Sequence, residues 1–198
     1  IDLQNYENMM LQDLYDRVNN CVIEVIKNNL LPTLPDGTRD KRILKMLLTS
    51  NVYESYQESE RLMGLIFNGY TRTELNLYFK AEHTKQVSRT GAQNNLITKY
   101  QSTMKELVTV MGYKDAFANV KNAYQVTDWK GANACTYCNR SYIFTISTGL
   151  KNKDKVTRPE LDHWYAKSKY PLLSMNYYNL IPSCSVCNSS VKGSTSFD

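Results

Sequence analysis

The chain has no run approaching the roughly 18 to 20 consecutive apolar residues that would cross a bilayer. Its first 30 residues mix Asp, Glu, Asn and Lys too freely for a secretory leader. Neither a helical membrane span nor an export signal is expected in these residues, and the expected compartment is the cytoplasm. Internal repeats and low-complexity tracts are also missing. Histidine is scarce, with only His83 and His163, so any imidazole chemistry has two addresses. The first residue is Ile1 rather than Met, as expected of a trimmed or processed piece.

What is present is ordinary globular material, 198 residues with 42% hydrophobic content, enough for one domain or two small ones. The net charge of +5 is unevenly spread. Residues 131–198 carry eight Lys/Arg against four acids, whereas residues 1–130 carry sixteen against fifteen. An excess of that kind suits a polyanionic partner, although Lys151, Lys153 and Lys155 also read as a solvated hairpin tip.

Residues 1–130 read as an all-helical region of about six helices. Leu11, Leu14, Val18, Cys21, Val22, Val25 and Ile26 recur at steps of three and four, predicting one helix that ends before Pro32. A second apolar run covers Ile43 to Leu48. Asn51 with Glu54 forms an N-cap pair for a helix stopping at Asn68-Gly69, and Thr71 with Glu74 a capping box. Residues 84–95 read as an exposed connection. Leu96, Tyr100, Met104, Leu107, Val108 and Met111 then form a stripe stopped by Gly112, and Phe117, Val120 and Tyr124 mark one more short helix. From Gly131 the pattern turns to strands: Tyr142 to Ile146, a turn at Gly149 to Asp154, and Arg158 to His163 returning as the partner strand.

Five cysteines are present, four of them in two Cys-x-x-Cys pairs, Cys135/Cys138 and Cys184/Cys187, with 45 residues between the pairs. Two such knuckles close a tetrahedral structural Zn²⁺ site that leaves no position open for substrate. A redox dithiol needs only one pair, and disulfides do not suit a reducing compartment. Cys21 lies on the apolar stripe and reads as a small buried hydrophobe. The gap holds Asp162-His163, and Asn188 follows the last cysteine. Hydrolysing a phosphodiester needs a base for water, a cation for the developing charge, and a hold on the phosphate. Carboxylate and amide oxygens are hard donors suited to Mg²⁺ or Mn²⁺, and a neutral imidazole suits the base. Lys192, Lys167, Arg140, Lys169 and Tyr165 could line a phosphate track. The competing readings are an ordinary buried Asp–His hydrogen bond for the pair and a solvated helix position for Lys192. His83, beside a polar stretch, reads as a surface residue.

Taken together, the two knuckles, Leu161-Asp162-His163, Lys167-Ser168-Lys169-Tyr170-Pro171, Asn179 to Cys184, and Cys187-Asn188 with Lys192-Gly193 resemble the HNH endonucleases of ββα-metal fold. The resemblance covers residues 131–193 and is nearest to the bacterial phage-defence branch that includes the Septu-type nuclease component. It implies an α+β chain, with a helical domain at 1–130 and a zinc-stapled nuclease domain at 131–198. It makes His163 the general base, Asp162 and Asn188 the ligands of a catalytic Mg²⁺ or Mn²⁺, and Asn179 the residue that steadies the loop and orients the base. Asp162 and His163 then end one strand, Asn179 to Ser183 form the next, and Asn188 opens a closing helix whose face Lys192 shares. Neighbours in a strand point to opposite sides, so the pair needs a strand end or bulge to serve one phosphate. Gly193 and the Ser/Thr-rich end leave that helix short. The implied activity is metal-dependent hydrolysis of nucleic acid, DNA favoured over RNA, in antiviral defence, with an ATPase as a possible protein partner. The rival is a non-catalytic zinc module that binds nucleic acid or a protein.

Overall fold

Residues 3–118, 120–146 and 158–192 are described by the computed structural model. The expected turn at 149–154, the lysines at 151, 153 and 155, and the segment from Gly193 onward lie outside them. Eight α-helices come first: α1 Leu3–Asn19, α2 Glu24–Leu30, α3 Arg42–Thr49, α4 Val52–Ile66, α5 Arg72–His83, α6 Gly91–Met111, α7 Tyr113–Ala118 and α8 Val120–Lys130. They are followed by two short strands, β1 Glu160–His163 and β2 Leu180–Ser183, and a π-helical segment, Val186–Lys192. The architecture is mixed, largely helical with a small two-stranded sheet. No described helix is long and apolar enough to cross a membrane.

Tyr6, Met10, Leu14 and Val18 are fully buried at steps of four along α1. The single first helix expected from the stripe is in fact two. Asn19-Asn20 and the β-branched pair Val22-Ile23 are weak helix formers, and the break leaves Val22 82% exposed while Ile26 and Leu30 turn inward on α2. Cys21 is buried at this break, its thiol donating to Glu106 Oε1 at 3.3 Å.

The capping residues act where the sequence places them. Asn51 accepts from the Glu54 amide and Thr71 from the Glu74 amide, although the Glu74 carboxylate turns to Lys99 and Tyr100 instead of closing a box. The expected connection at 84–95 ends early, because Thr90 and Gln93 form a reciprocal capping box that starts α6 at Gly91. Gly112 stops α6 in the left-handed region, φ +56°, and Arg17 packs where a Cβ would stand.

Tyr142 to Ile146 is not a strand. Isolated bridge positions mark Tyr142, paired with Ala134, and Ile146, and the described residues there form no ladder. Ile143 is buried and Thr145 Oγ1 donates to Thr127 Oγ1 of α8 at 3.0 Å, while Tyr142, Phe144 and Ile146 stay exposed. β1 pairs instead with β2, antiparallel, in the register Glu160 to Ser183, Leu161 to Pro182, Asp162 to Ile181 and His163 to Leu180.

One hydrophobic cluster joins residues of α1 to α6 with Leu161, Leu172, Met175, Tyr177 and Leu180. The change of pattern near 130 is thus a change of local structure, and the core runs through it. Asn176 is the polar pin of that junction. Fully buried, its amide donates to Leu47 O, Ser50 O and Ser55 Oγ at 2.9–3.0 Å, while its oxygen accepts from the Asn179 amide. Tyr6 adds a hydrogen bond to Met175 O.

Candidate metal centre and acid–histidine site

The four knuckle cysteines converge. All four sulfurs lie within 4.8 Å of one another, none in a disulfide, a spacing that fits one tetrahedral ion with Zn–S bonds of about 2.3 Å. Local backbone builds each knuckle. Asn139 takes φ +48°, which asparagine tolerates, so that its amide reaches Cys135 O and Cys135 N reaches Ser141 O, both at 2.8 Å. The Cys184 amide points at Cys135 Sγ (3.3 Å) and the Cys187 amide at Cys184 Sγ (3.4 Å). Backbone amides around Ser141 and Arg140 pull the Cys138 thiol down to about 6, whereas desolvation and the neighbouring thiols push Cys187 up to about 12. Four crowded thiols cannot all ionise without a cation, and a dication removes that conflict. The cysteines can therefore hold a metal such as zinc. Thr136, inside the first knuckle, donates through its amide and hydroxyl to Pro182 O, tying the metal unit to β2.

β1 is regular, with no bulge in its register, so its side chains alternate. Their partners differ accordingly. Glu160 and Asp162 meet the knuckle and the π-helical segment: Tyr137 and Lys192 both donate to Asp162 Oδ2, the latter at 2.6 Å, and Asn188 Nδ2 donates to Glu160 Oε2 at 2.7 Å. Lys192 also donates to His163 O, and its side chain is only 5% exposed. Leu161 and His163 turn to the core and the loop at 164–179. His163 is 4% exposed, its Nε2 lies 3.0 Å from Ser174 O, and its ring meets Tyr113 edge-on at 4.5 Å. A carbonyl only accepts, so Nε2 carries the proton and Nδ1 keeps its lone pair. Burial first, and then the Lys167 cation, push the imidazole down to about 4, which leaves it neutral near pH 7.

Asn179 is fully buried and clamps both ends of the loop. Its Oδ1 accepts from Tyr165 N at 2.7 Å, and its amide donates to Tyr165 O and Leu173 O. Leu173 precedes the Ser174 carbonyl that holds His163, so the clamp sets the imidazole's anchor.

The structure thus gathers Asp162, Lys192, Asn188 and Glu160 on one face and puts His163 and Asn179 on the other. Asp162 and Asn188 share no hydrogen bond; each faces a different partner. Asn188 and Lys192 do not lie on an α-helical face but on a π-helical segment that sends them to β1 positions two residues apart. Lys192 is neither a free phosphate contact nor a solvated helix residue. Lys167 reaches over the Tyr113 ring (5.1 Å), Arg140 is exposed at the first knuckle, and Tyr165 stacks on Tyr56 (5.0 Å). Tyr137, Ser174 and Glu160 were missed from sequence. Strand alternation from Asp162 could have found Glu160, while the other two act through tertiary contacts with no local signal.

Neither protein-family models, nor curated proteins, nor solved structures give a match to this chain. The chemistry rests on the residues themselves.

Proposed function

We propose that this chain is a metal-dependent nuclease of HNH type that hydrolyses phosphodiester bonds, DNA favoured, in bacterial defence against phage. The observation that carries the reading is His163, a buried neutral imidazole oriented by the Ser174 carbonyl at the end of a strand whose preceding residue is Asp162. In this reading β1, β2 and the π-helical segment are the ββα element, and the four cysteines are its structural zinc site. Nδ1 of His163 takes the proton from the attacking water. Asn179 holds the loop that fixes the ring. The oxygens of Asp162 and Asn188 are of the hard kind that suits Mg²⁺ or Mn²⁺, and such an ion would supply charge stabilisation at the phosphate. Lys192 occupies Asp162 in this structure, so binding there requires the ammonium to withdraw. Lys167 is the cation nearest the imidazole side and would hold the scissile phosphate.

That same ammonium favours the second reading, a non-catalytic zinc module in which Lys192 permanently completes the charge of Asp162. Incubation with plasmid DNA and Mg²⁺ or Mn²⁺, of the chain alone and with co-purified partners, separates the two. His163→Ala should lower the cleavage rate by about 10² to 10⁴ with zinc content and circular dichroism retained. A variant that cuts as fast as the parent would defeat the nuclease reading.

A further inference from the structure

Two clefts flank Phe79 on α5; the first shares Tyr113, Lys167 and Ser174 with the surroundings of His163, and the second is lined by none of these three. The first, about 640 Å³, lies between α5, α6 and α7 and is walled by Tyr78, Phe79 and Tyr113, with Lys105, Lys114 and Lys167 among its lining residues. The second, about 920 Å³, is lined by Tyr56, Phe79, Tyr165 and Tyr170 with Arg72, Lys80 and Lys169. Phe79 lines both, so they adjoin, and Lys167 and Lys169 put one loop between them. The charge is mainly of one sign. Arg72 is ion-paired with Glu60, the second cleft has no acidic lining residue, and the first has Glu82 and Asp115 against three lysines. Glu82 is already engaged by the Tyr78 hydroxyl, at 3.0 Å.

We infer that these adjoining clefts form a track for a single-stranded nucleic-acid segment, its bases against Phe79, the ring common to both clefts, and its phosphates against Lys80, Lys114 and Lys167. Aromatic walls recognise bases through their π faces, which only an unpaired strand presents, while lysines follow the backbone. A duplex hides those faces and cannot enter clefts of this size. The track meets the reactive residue through shared walls, since Tyr113 and Ser174 line the first cleft and also contact His163. The inference rests on the proposed nuclease for its purpose, but it fixes the strandedness of the substrate from the clefts alone.

Fluorescence anisotropy with a labelled eight-nucleotide single strand, as DNA and as RNA, and with the same DNA as a blunt duplex, tests it. The assay uses the zinc-loaded chain without added Mg²⁺ or Mn²⁺. The single strand should bind at least tenfold tighter than the duplex, and the DNA and RNA arms decide which sugar is preferred. Lys80→Glu with Lys114→Glu should weaken single-strand binding tenfold or more, as should Val108→Trp. Val108 lines the first cleft and is half exposed, so an indole there fills space without disturbing the core, which circular dichroism would verify. Equal affinity for duplex and single strand, or undiminished binding by both folded variants, overturns the track. The nuclease reading fails differently. Single-strand binding that the variants abolish, in a parent that never cuts with metal, keeps the track and removes the nuclease; cutting that both variants retain at full rate does the reverse.

Discussion

The two faces of β1 solve the problem of burying polar groups in opposite ways. On the Glu160/Asp162 face, charge is met by charge: the Lys192 ammonium lies on the Asp162 carboxylate with Tyr137 as a second donor. On the Leu161/His163 face a neutral imidazole is held by a carbonyl and an aromatic edge. The first arrangement is stable only while both partners remain, because a lone buried charge is costly. The second needs no counter-charge and leaves one ring nitrogen open. The contrast places a neutral imidazole on one face and a closed electrostatic lock on the other.

The largest effect should come from the unit that holds both faces in place. Cys184→Ala removes one of four sulfurs and with it most of the metal's contribution to folding, which for structural zinc is about 10 kcal/mol or more. Residues 131–146 and 158–192 should lose ordered structure, with zinc falling from one equivalent per chain, measured by metal analysis and amide exchange. A variant that keeps its zinc and its protection would detach the sheet from the cysteines. A smaller effect tests the lock itself. Lys192→Met leaves Asp162 buried without its cation and should cost about 3 to 5 kcal/mol, and Asp162→Asn in the same chain should restore much of it. Thermal denaturation of the two singles and the double measures the coupling. Additive losses would show that the pair is not the lock described.

Elements whose determinants are local were legible in the sequence. The knuckles are short loops in which spacing alone brings thiols together, and Asn51, Thr71 and Gly112 act through their own backbone neighbours. The strand after Asp162-His163 and the hold of Asn179 on the loop were expected from the resemblance and not from local signals. What failed was decided elsewhere in the fold. Tyr142 to Ile146 has strand composition, yet its described residues form only bridge positions, and Thr145 bonds to Thr127 of α8. Asn176 is an unremarkable loop asparagine until Leu47, Ser50 and Ser55 surround its amide. Lys192 gave two expectations, phosphate contact or solvated residue, and became a buried ion pair because the π-helical segment delivers it to Asp162 rather than to solvent.

The smallest effect concerns a second, half-buried ammonium, at the end of α8 against the loop that anchors His163. Lys130 donates to Tyr177 O and lies 3.7 Å from the Tyr177 ring centroid, with no carboxylate among these contacts. Desolvation alone lowers it from 10.5 to about 8, the opposite of what a paired lysine gains. Because the folded value is depressed, the unfolded chain binds more protons between about pH 8 and 10.5, so this group's contribution to stability rises with pH across that window and is lost as pH falls through 8. Buried tyrosines with raised values, such as Tyr113 at about 12, oppose this trend in the whole protein. The comparison must therefore be a difference: the melting temperature of the parent minus that of Lys130→Met, followed from pH 7 to 10.5, should climb. A flat difference would mean that Lys130 keeps an ordinary solvated charge, and the two lysines would then differ in partner but not in electrostatic cost.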